Sequence, residues 1–333
     1  MLRALAIFFG LVALFVVTGE LCLRSRESAE LRRIETAAEH ELLGGGLDGL
    51  LHARALALGG AAHARDAEVA ATLGLADAML ASEYGLNQAD AALASARGTD
   101  APGVSRRAGA LKLATRALAE VTSGHLDRAE ALALESVALG HKLASPLFAL
   151  GRIRFRQGNL PAASRAFQAA LVREPSLVEA RVAWAEVWLE EGARDRAREA
   201  LVAVLRHTPG HSRAQLLLAE LDLASSDAPG EATAWQTACA RDEKNSPFLA
   251  GACDLARAQR AARSHDGDGA IRFAAAAGRR RPAEPRVLAG AAQVLASLGA
   301  VDRAADCLAE ARRIASPLLP SLRWARLAIE LGR

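Results

Sequence analysis

Residues 144–177 read ASPLFALGRIRFRQGNLPAASRAFQAALVREPSL, and the fold follows from this stretch. Two runs rich in Ala and Leu flank Gln157-Gly158-Asn159, and Pro175 follows the second run. Ala and Leu lose little on entering a helix, so each run is expected to be helical. Gly158 is free to take the positive φ that ends the first helix, and Pro175, lacking an N–H, stops the second. Two helices per unit result. The small residues Gly151, Ala163 and Ala170 allow helix backbones to approach closely, and Phe167 is expected to fill the groove between units. A hairpin of this kind leaves an apolar face uncovered, so it must stack on copies of itself.

The copies are present at a spacing of 34 residues. Gly124, Gly158 and Gly192 recur at that interval, as do Ala129, Ala163 and Ala197, then Ala133, Phe167 and Leu201, and Pro175 and Pro209. Ala alone would recur by chance in so Ala-rich a chain; its coincidence with Gly, Pro and a large residue carries the argument. With Leu147, Leu150-Gly151, Gly158, Leu160, Ala163, Phe167, Ala170 and Pro175 at its signature positions, the unit 144–177 resembles a tetratricopeptide repeat. It departs at Arg154, where that family usually has an aromatic residue. The unit 178–211 matches through Trp184, Ala185, Trp188, Gly192, Ala197, Leu201 and Pro209, with Arg194 in place of an apolar residue. The unit 110–143 keeps Leu113, Ala117, Gly124, Leu126 and Ala129 but lacks the terminal Pro.

Weaker copies are expected at 212–245, where Trp235 and Ala238 stay in register, at 251–284 and at 285–318. They complete a repeat region over 110–319. A closing helix is expected in 320–333, with Ser321 as its N-cap. Upstream, 67–109 reads as a degenerate helical pair around Gly85, and 25–66 as a helical or flexible segment interrupted by glycines. The resemblance therefore implies an all-α chain: an α-α superhelix of tetratricopeptide-like hairpins, preceded by a transmembrane helix.

That last element rests on residues 4–23, nearly all apolar and uncharged as far as Thr18. As one helix they would extend about 30 Å, the thickness of a bilayer's hydrocarbon core. Glu20 falls near the end, within reach of the headgroups. Residues 1–24 thus read as an anchor holding the chain in a bacterial-type inner membrane by a single pass, with a cleaved signal peptide as the rival reading. Arg24, Arg26, Arg32 and Arg33 argue that the following segment stays in the cytoplasm, whereas the signal-like start argues for export to the periplasm, the side favoured here.

Composition narrows the function. A net charge of +3 over 333 residues gives nucleic-acid binding no support. Cys22, Cys239, Cys253 and Cys307 form no C-x-x-C pair, so no metal site is expected and the cysteines read as small buried hydrophobes. His207 and His211 are separated by Pro209-Gly210 and share no helical face. Arg279 to Arg281 complement a helix C-terminus, and Trp184 and Trp188 read as core filling. No phosphate loop, nucleophile elbow or zinc-protease motif occurs in a meaningful context, so neither catalysis nor a cofactor is expected.

Tetratricopeptide solenoids bind peptides or helices along the concave wall formed by the first helix of each unit. The resemblance places Arg152, Phe155, Arg156, Glu179, Glu186, Leu189, Glu190, Arg213, Glu220 and Leu223 on that wall, as a groove of mixed charge. Leu118, Arg152, Glu186 and Glu220 stand where carboxylate-clamp members of the family use Asn and Lys, so such a clamp is not expected. The resulting expectation is a non-catalytic, membrane-tethered scaffold or adaptor for protein partners in envelope assembly or secretion. The alternative is an accessory subunit of a membrane enzyme system acting on cell wall, polysaccharide or cytochromes.

Overall fold

The computed structural model describes Arg26 and residues 28–63, 67–97, 104–224 and 234–331. Among the described residues every regular element is a helix. The proposed anchor, residues 4–23, lies outside them. Within them no helix is long and apolar enough to cross a membrane.

Helix α1 covers 28–44, and α2 (Gly46–His63), α3 (Ala67–Tyr84) and α4 (Ala89–Arg97) follow it. The repeat hairpins are α5 (Arg106–Thr122) with α6 (Leu126–Leu139), α7 (Ser145–Arg156) with α8 (Leu160–Arg173), and α9 (Val178–Glu190) with α10 (Arg194–His207). Next come α11 (Ser212–Ala224) with α12 (Ala234–Asp242), α13 (Pro247–Arg263) with α14 (Gly267–Arg279), and α15 (Pro285–Ser297) with α16 (Val301–Ile314). α17 (Pro320–Leu331) ends the described chain and packs on α15 and α16. Residues 225–233, between α11 and α12, are not described.

The turns obey the 34-residue rule closely. Gly158 and Gly192 both sit at φ 77°, and the residue after each donates its N–H five residues back, Asn159 to Arg154 O at 2.9 Å and Ala193 to Trp188 O at 2.8 Å. This closure satisfies carbonyls that the helix end would otherwise orphan. In the α13–α14 turn His265 holds the same left-handed place at φ 57°, one period before Gly299. Asn159 then starts α8 as its N-cap, accepting the Ala162 N–H at 3.2 Å.

Phe167 finds its place within its own hairpin. A Cβ on Gly151 would lie 2.5 Å from the Phe167 ring, so the ring rests directly on that glycine, with Phe148 6.1 Å away between centroids. Any side chain at position 151 would displace it.

Two features add to the expected superhelix of stacked hairpins. The glycine-interrupted stretch after Leu43 is helical except at Gly45, and it passes against α9: a Cβ on Gly45 would lie 3.0 Å from Val178 Cβ. At the other end, the α16–α17 connection folds back onto the α7–α8 turn, where the Ser316 N–H donates to Arg156 O at 2.9 Å. Ser321 is not an N-cap, because α17 already begins at Pro320. Instead the Ser321 N–H donates to Glu190 Oε2 at 2.8 Å, so a carboxylate from α9 caps α17 across the molecule.

This closure predicts a difference between two equivalent glycines. Gly192→Ala meets nothing within 4 Å and should lose only the left-handed conformation, about 1–2 kcal/mol. Gly158→Ala adds a Cβ 2.9 Å from Leu318 Cβ and 3.2 Å from the Leu319 N, and should lose at least about 1 kcal/mol more. Urea unfolding of the two variants measures the difference; equal losses would mean that the C-terminal segment does not rest on the α7–α8 turn.

Candidate functional site

The first helices of successive units present equivalent positions to the same side of the solenoid. Arg152, Glu186 and Glu220 are one period apart, as are Glu179 and Arg213, and Arg156 and Glu190. Charge reverses over one period between Arg152 and Glu186, Glu179 and Arg213, and Arg156 and Glu190, but not between Glu186 and Glu220, and stacking brings several opposite charges together. Arg152 Nη1 donates to Glu186 Oε2 at 2.6 Å, and Arg213 Nη2 donates to Glu186 Oε1 at 2.5 Å. Glu83, near the end of α3, inserts between the same two guanidiniums: Arg152 Nε is 2.8 Å from its Oε1, and Arg213 Nη1 donates to its Oε2. Ser82 Oγ supplies Glu83 with a further donor at 3.0 Å.

A second set surrounds Glu179. Its Oε1 accepts the Tyr84 hydroxyl at 2.7 Å and the Gly46 N–H at 2.8 Å, and His211 Nε2 stands 3.4 Å away. His211 Nδ1 accepts the Ala214 N–H, so the ring proton of a neutral His211 sits on Nε2, facing Glu179. A third set joins Arg286 of α15 to Glu190 and Glu220, each at 2.9 Å. Phe155 is buried beneath Arg152, whose guanidinium lies 5.5 Å from the ring centroid.

Pairing overcomes desolvation at these carboxylates. Burial alone would raise Glu179, but the His211 ring, Arg213 and the Tyr84 hydroxyl lower it to about 2. Burial likewise opposes Glu186, yet Arg213, Arg152 and Arg286 bring it to about 2. Glu220 behaves in the opposite way: burial raises it, Arg286 pulls it down, and the carboxylates of Glu190, Glu284 and Glu186 add to the rise. Burial and the neighbouring Glu179 charge hold the Tyr84 hydroxyl well above its ordinary range.

The expected open groove is thus closed by the chain itself. Arg152, Phe155, Arg156, Glu179, Glu186, Glu190 and Arg213 are all buried, while Leu189 and Glu220 are half-buried. The side chain of Leu223 lies outside the described residues. The physical reason is that charges at these positions recruit partners from α2, α3, α15 and α17, which cover the wall. Glu83, Tyr84, His211 and Arg286 were not singled out from the sequence as members of this site. The available signal was the reversal of sign at one period, which marks pairing between neighbouring units more readily than an exposed binding face.

Other sequence candidates fall elsewhere. Trp184 and Trp188 stack at 4.5 Å between centroids, both half-buried, with Trp184 Nε1 donating to Ser164 Oγ at 2.8 Å. Cys239 and Cys253 are joined in a disulfide that ties α12 to α13 across a Cα–Cα distance of 5.8 Å, correcting the reading of both as unpaired hydrophobes. Glu243 lies beside this pair, and the bond withdraws both thiolates from metal ligation. Cys307 is buried and unbonded, and burial raises its thiol pKa.

With this geometry, the molecule is a closed helical-repeat solenoid. A family model described as tetratricopeptide repeat matches residues 154–221, which span the end of α7 through most of α11. Among solved structures, the chain is similar to one from the APC/C hetero-tetramer Cut9-Hcn1, with 17% identity, a TM-score of 0.56, and coverage of 87% of this chain and 54% of that one. Yeast Tom70 aligns at 14% identity and TM-score 0.42, over 84% of this chain and 59% of that one. PilF of Pseudomonas aeruginosa aligns at 15% identity and TM-score 0.43, over 66% and 95%. No curated protein matches the sequence. The repeat match and the likeness to the Cut9-Hcn1 structure support a tetratricopeptide-type fold.

The acid side of the stability curve should report the cluster. Glu179 and Glu186 have folded values below the ordinary 4.5, so the stability they contribute is complete above about pH 4.5 and is lost as pH falls toward about 2. Glu186→Gln should flatten this acid limb and, by leaving Arg152 and Arg213 short of a countercharge, lower stability at pH 7 by about 3 kcal/mol. Urea titrations from pH 7 to pH 3 test both; an unchanged acid limb would remove Glu186 from the network.

Proposed function

We propose that this protein is a non-catalytic, membrane-tethered scaffold that engages protein partners, in envelope assembly or secretion, through the outer face of its last helix. Tetratricopeptide repeats in general mediate protein–protein interaction, and here the inner wall is occupied by the chain's own helices. The observation that carries the reading is on α17. Its inner side buries Leu322, Ala325 and Ile329, while Trp324, Leu327 and Leu331 face outward at helical spacing, next to exposed Leu318. Trp324 and Leu318 each keep 64% of their surface accessible. A stripe of this kind suits the apolar face of a partner helix, since tryptophan anchors dominate such contacts.

The tether is the apolar segment 4–23, and the favoured location of the repeats is the exported side of an inner membrane. The Cys239–Cys253 bond supports that side, because disulfides persist in oxidising compartments and are rare in the cytosol.

Two measurements test these statements. Chemical crosslinking in native membranes should capture a specific partner with the unaltered chain and lose it with Trp324→Glu combined with Leu331→Glu; undiminished capture by the double variant would exclude α17 as the docking face. Alkylation of intact cells before lysis should leave Cys239 and Cys253 unmodified until a reductant is added, and immediate labelling of both would place the repeats in a reducing compartment.

A further inference from the structure

Arg152, Arg156 and Arg213 are the buried arginines among the described residues. Arg152 and Arg213 each donate to carboxylates, as the ion cluster requires. Arg156, the last residue of α7, does not. Its side chain is only 6% exposed, its Nε has no acceptor, and Glu284 is its ion-pair partner at a loose 3.9 Å. Glu284 is itself engaged, because its Oε2 accepts the Val287 N–H at 3.0 Å to cap α15. The Nε of this guanidinium has forfeited its hydration without gaining a hydrogen bond in exchange.

This guanidinium borders a cavity of about 570 Å³, enclosed by the α3–α4 connection, the end of α5, the α14–α15 connection and α16. The volume is that of an ordinary small-ligand site. Leu86, Val121, Phe248 and Ile314 supply apolar wall. Arg281 and Arg313 also border the cavity, but they are 51% and 69% exposed and already face Glu310, at 3.5 and 2.9 Å. Arg156 is therefore the deep, uncommitted donor, and the other two mark the mouth.

Charge selects the ligand. The charged residues lining the cavity are Arg156, Arg281, Arg313 and Glu310, and Glu310 already occupies Arg281 and Arg313. Arg156 is thus the one deep cation left for an anionic ligand. A lone planar guanidinium matches the two oxygens of a carboxylate in a paired, parallel geometry. Burial also lowers the Arg156 pKa below its ordinary range, a tendency that a bound anion would reverse.

We propose that this cavity binds an organic carboxylate, whose two oxygens meet Arg156 and whose apolar body lies against Leu86, Val121, Phe248 and Ile314. The carboxylate is either the C-terminus of a polypeptide or a free acid, and the site is separate from the α17 surface proposed above for partner docking.

Calorimetry on the full chain in lipid nanodiscs tests this with four probes: N-acetyl-Leu-Leu-Phe with a free C-terminal carboxylate, its carboxamide, 4-phenylbutanoate and inorganic phosphate. At least one carboxylate should bind, with the carboxamide and phosphate weaker by about tenfold or more. Preference for the peptide identifies a polypeptide terminus as the ligand, and equal or better binding of 4-phenylbutanoate identifies a free acid. Arg156→Met should weaken carboxylate binding by about tenfold or more while raising the melting temperature of the ligand-free protein, because an unpaired buried charge is replaced by an apolar side chain. Ala283→Trp, which narrows the cavity and leaves Arg156 intact, should weaken binding similarly and decides the matter if Arg156→Met does not fold. Failure of both carboxylates to bind, equal binding of the carboxamide, or undiminished binding by Arg156→Met or by Ala283→Trp would overturn the proposal.

Discussion

Glu83 stands between two guanidiniums, Arg152 and Arg213, that belong to units two repeats apart. A buried arginine without a carboxylate is strongly destabilising, so the interior of this solenoid requires α3 to enter it and deliver that charge. Once α3 is held there, its last residue, Tyr84, reaches Glu179, and the start of α2 reaches the same carboxylate through the Gly46 N–H. The N-terminal helices are thereby part of the repeat domain and not merely a spacer leading to it.

The opposite end closes by the same logic. Glu190 serves Arg286 of α15 and the backbone at the start of α17, so one carboxylate on α9 positions two C-terminal helices. The α16–α17 connection then meets the α7–α8 turn at Gly158. Charges along the inner wall act as registration points between distant parts of the chain. Replacing such pairs by well-packed apolar residues is often neutral for stability, so their contribution here is best understood as fixing which helix lies on which.

A solenoid closed in this way offers recognition surfaces away from its axis. The outward stripe of α17 and the cavity beside Arg156 are chemically different: one is apolar and convex, the other concave and provided with a single uncommitted cation. No residue of α17 lines the cavity, although the α16–α17 connection reaches the backbone of Arg156. The Cys239–Cys253 bond secures α12, a helix of only nine residues that follows the segment 225–233.

Much of the fold was legible because its causes are local. The recurrence of Gly, Ala and Pro at 34 residues specified the hairpins and their left-handed turns, since φ preference and helix termination depend on residues close in sequence. The wall positions from Arg152 to Glu220 were also identifiable, as equivalent sites in successive units. Their surroundings were not. Nothing near Arg152 in sequence announces Glu83, and nothing near Glu190 announces Arg286 or the start of α17. Those pairings join residues about 70 to 130 positions apart, and only the superhelical path decides whether a charged inner wall faces solvent or another part of the same chain. The sequence by itself determined that helical pairs stack; the tertiary structure decided that the wall they form is filled, because buried charges drew the chain's own helices onto it.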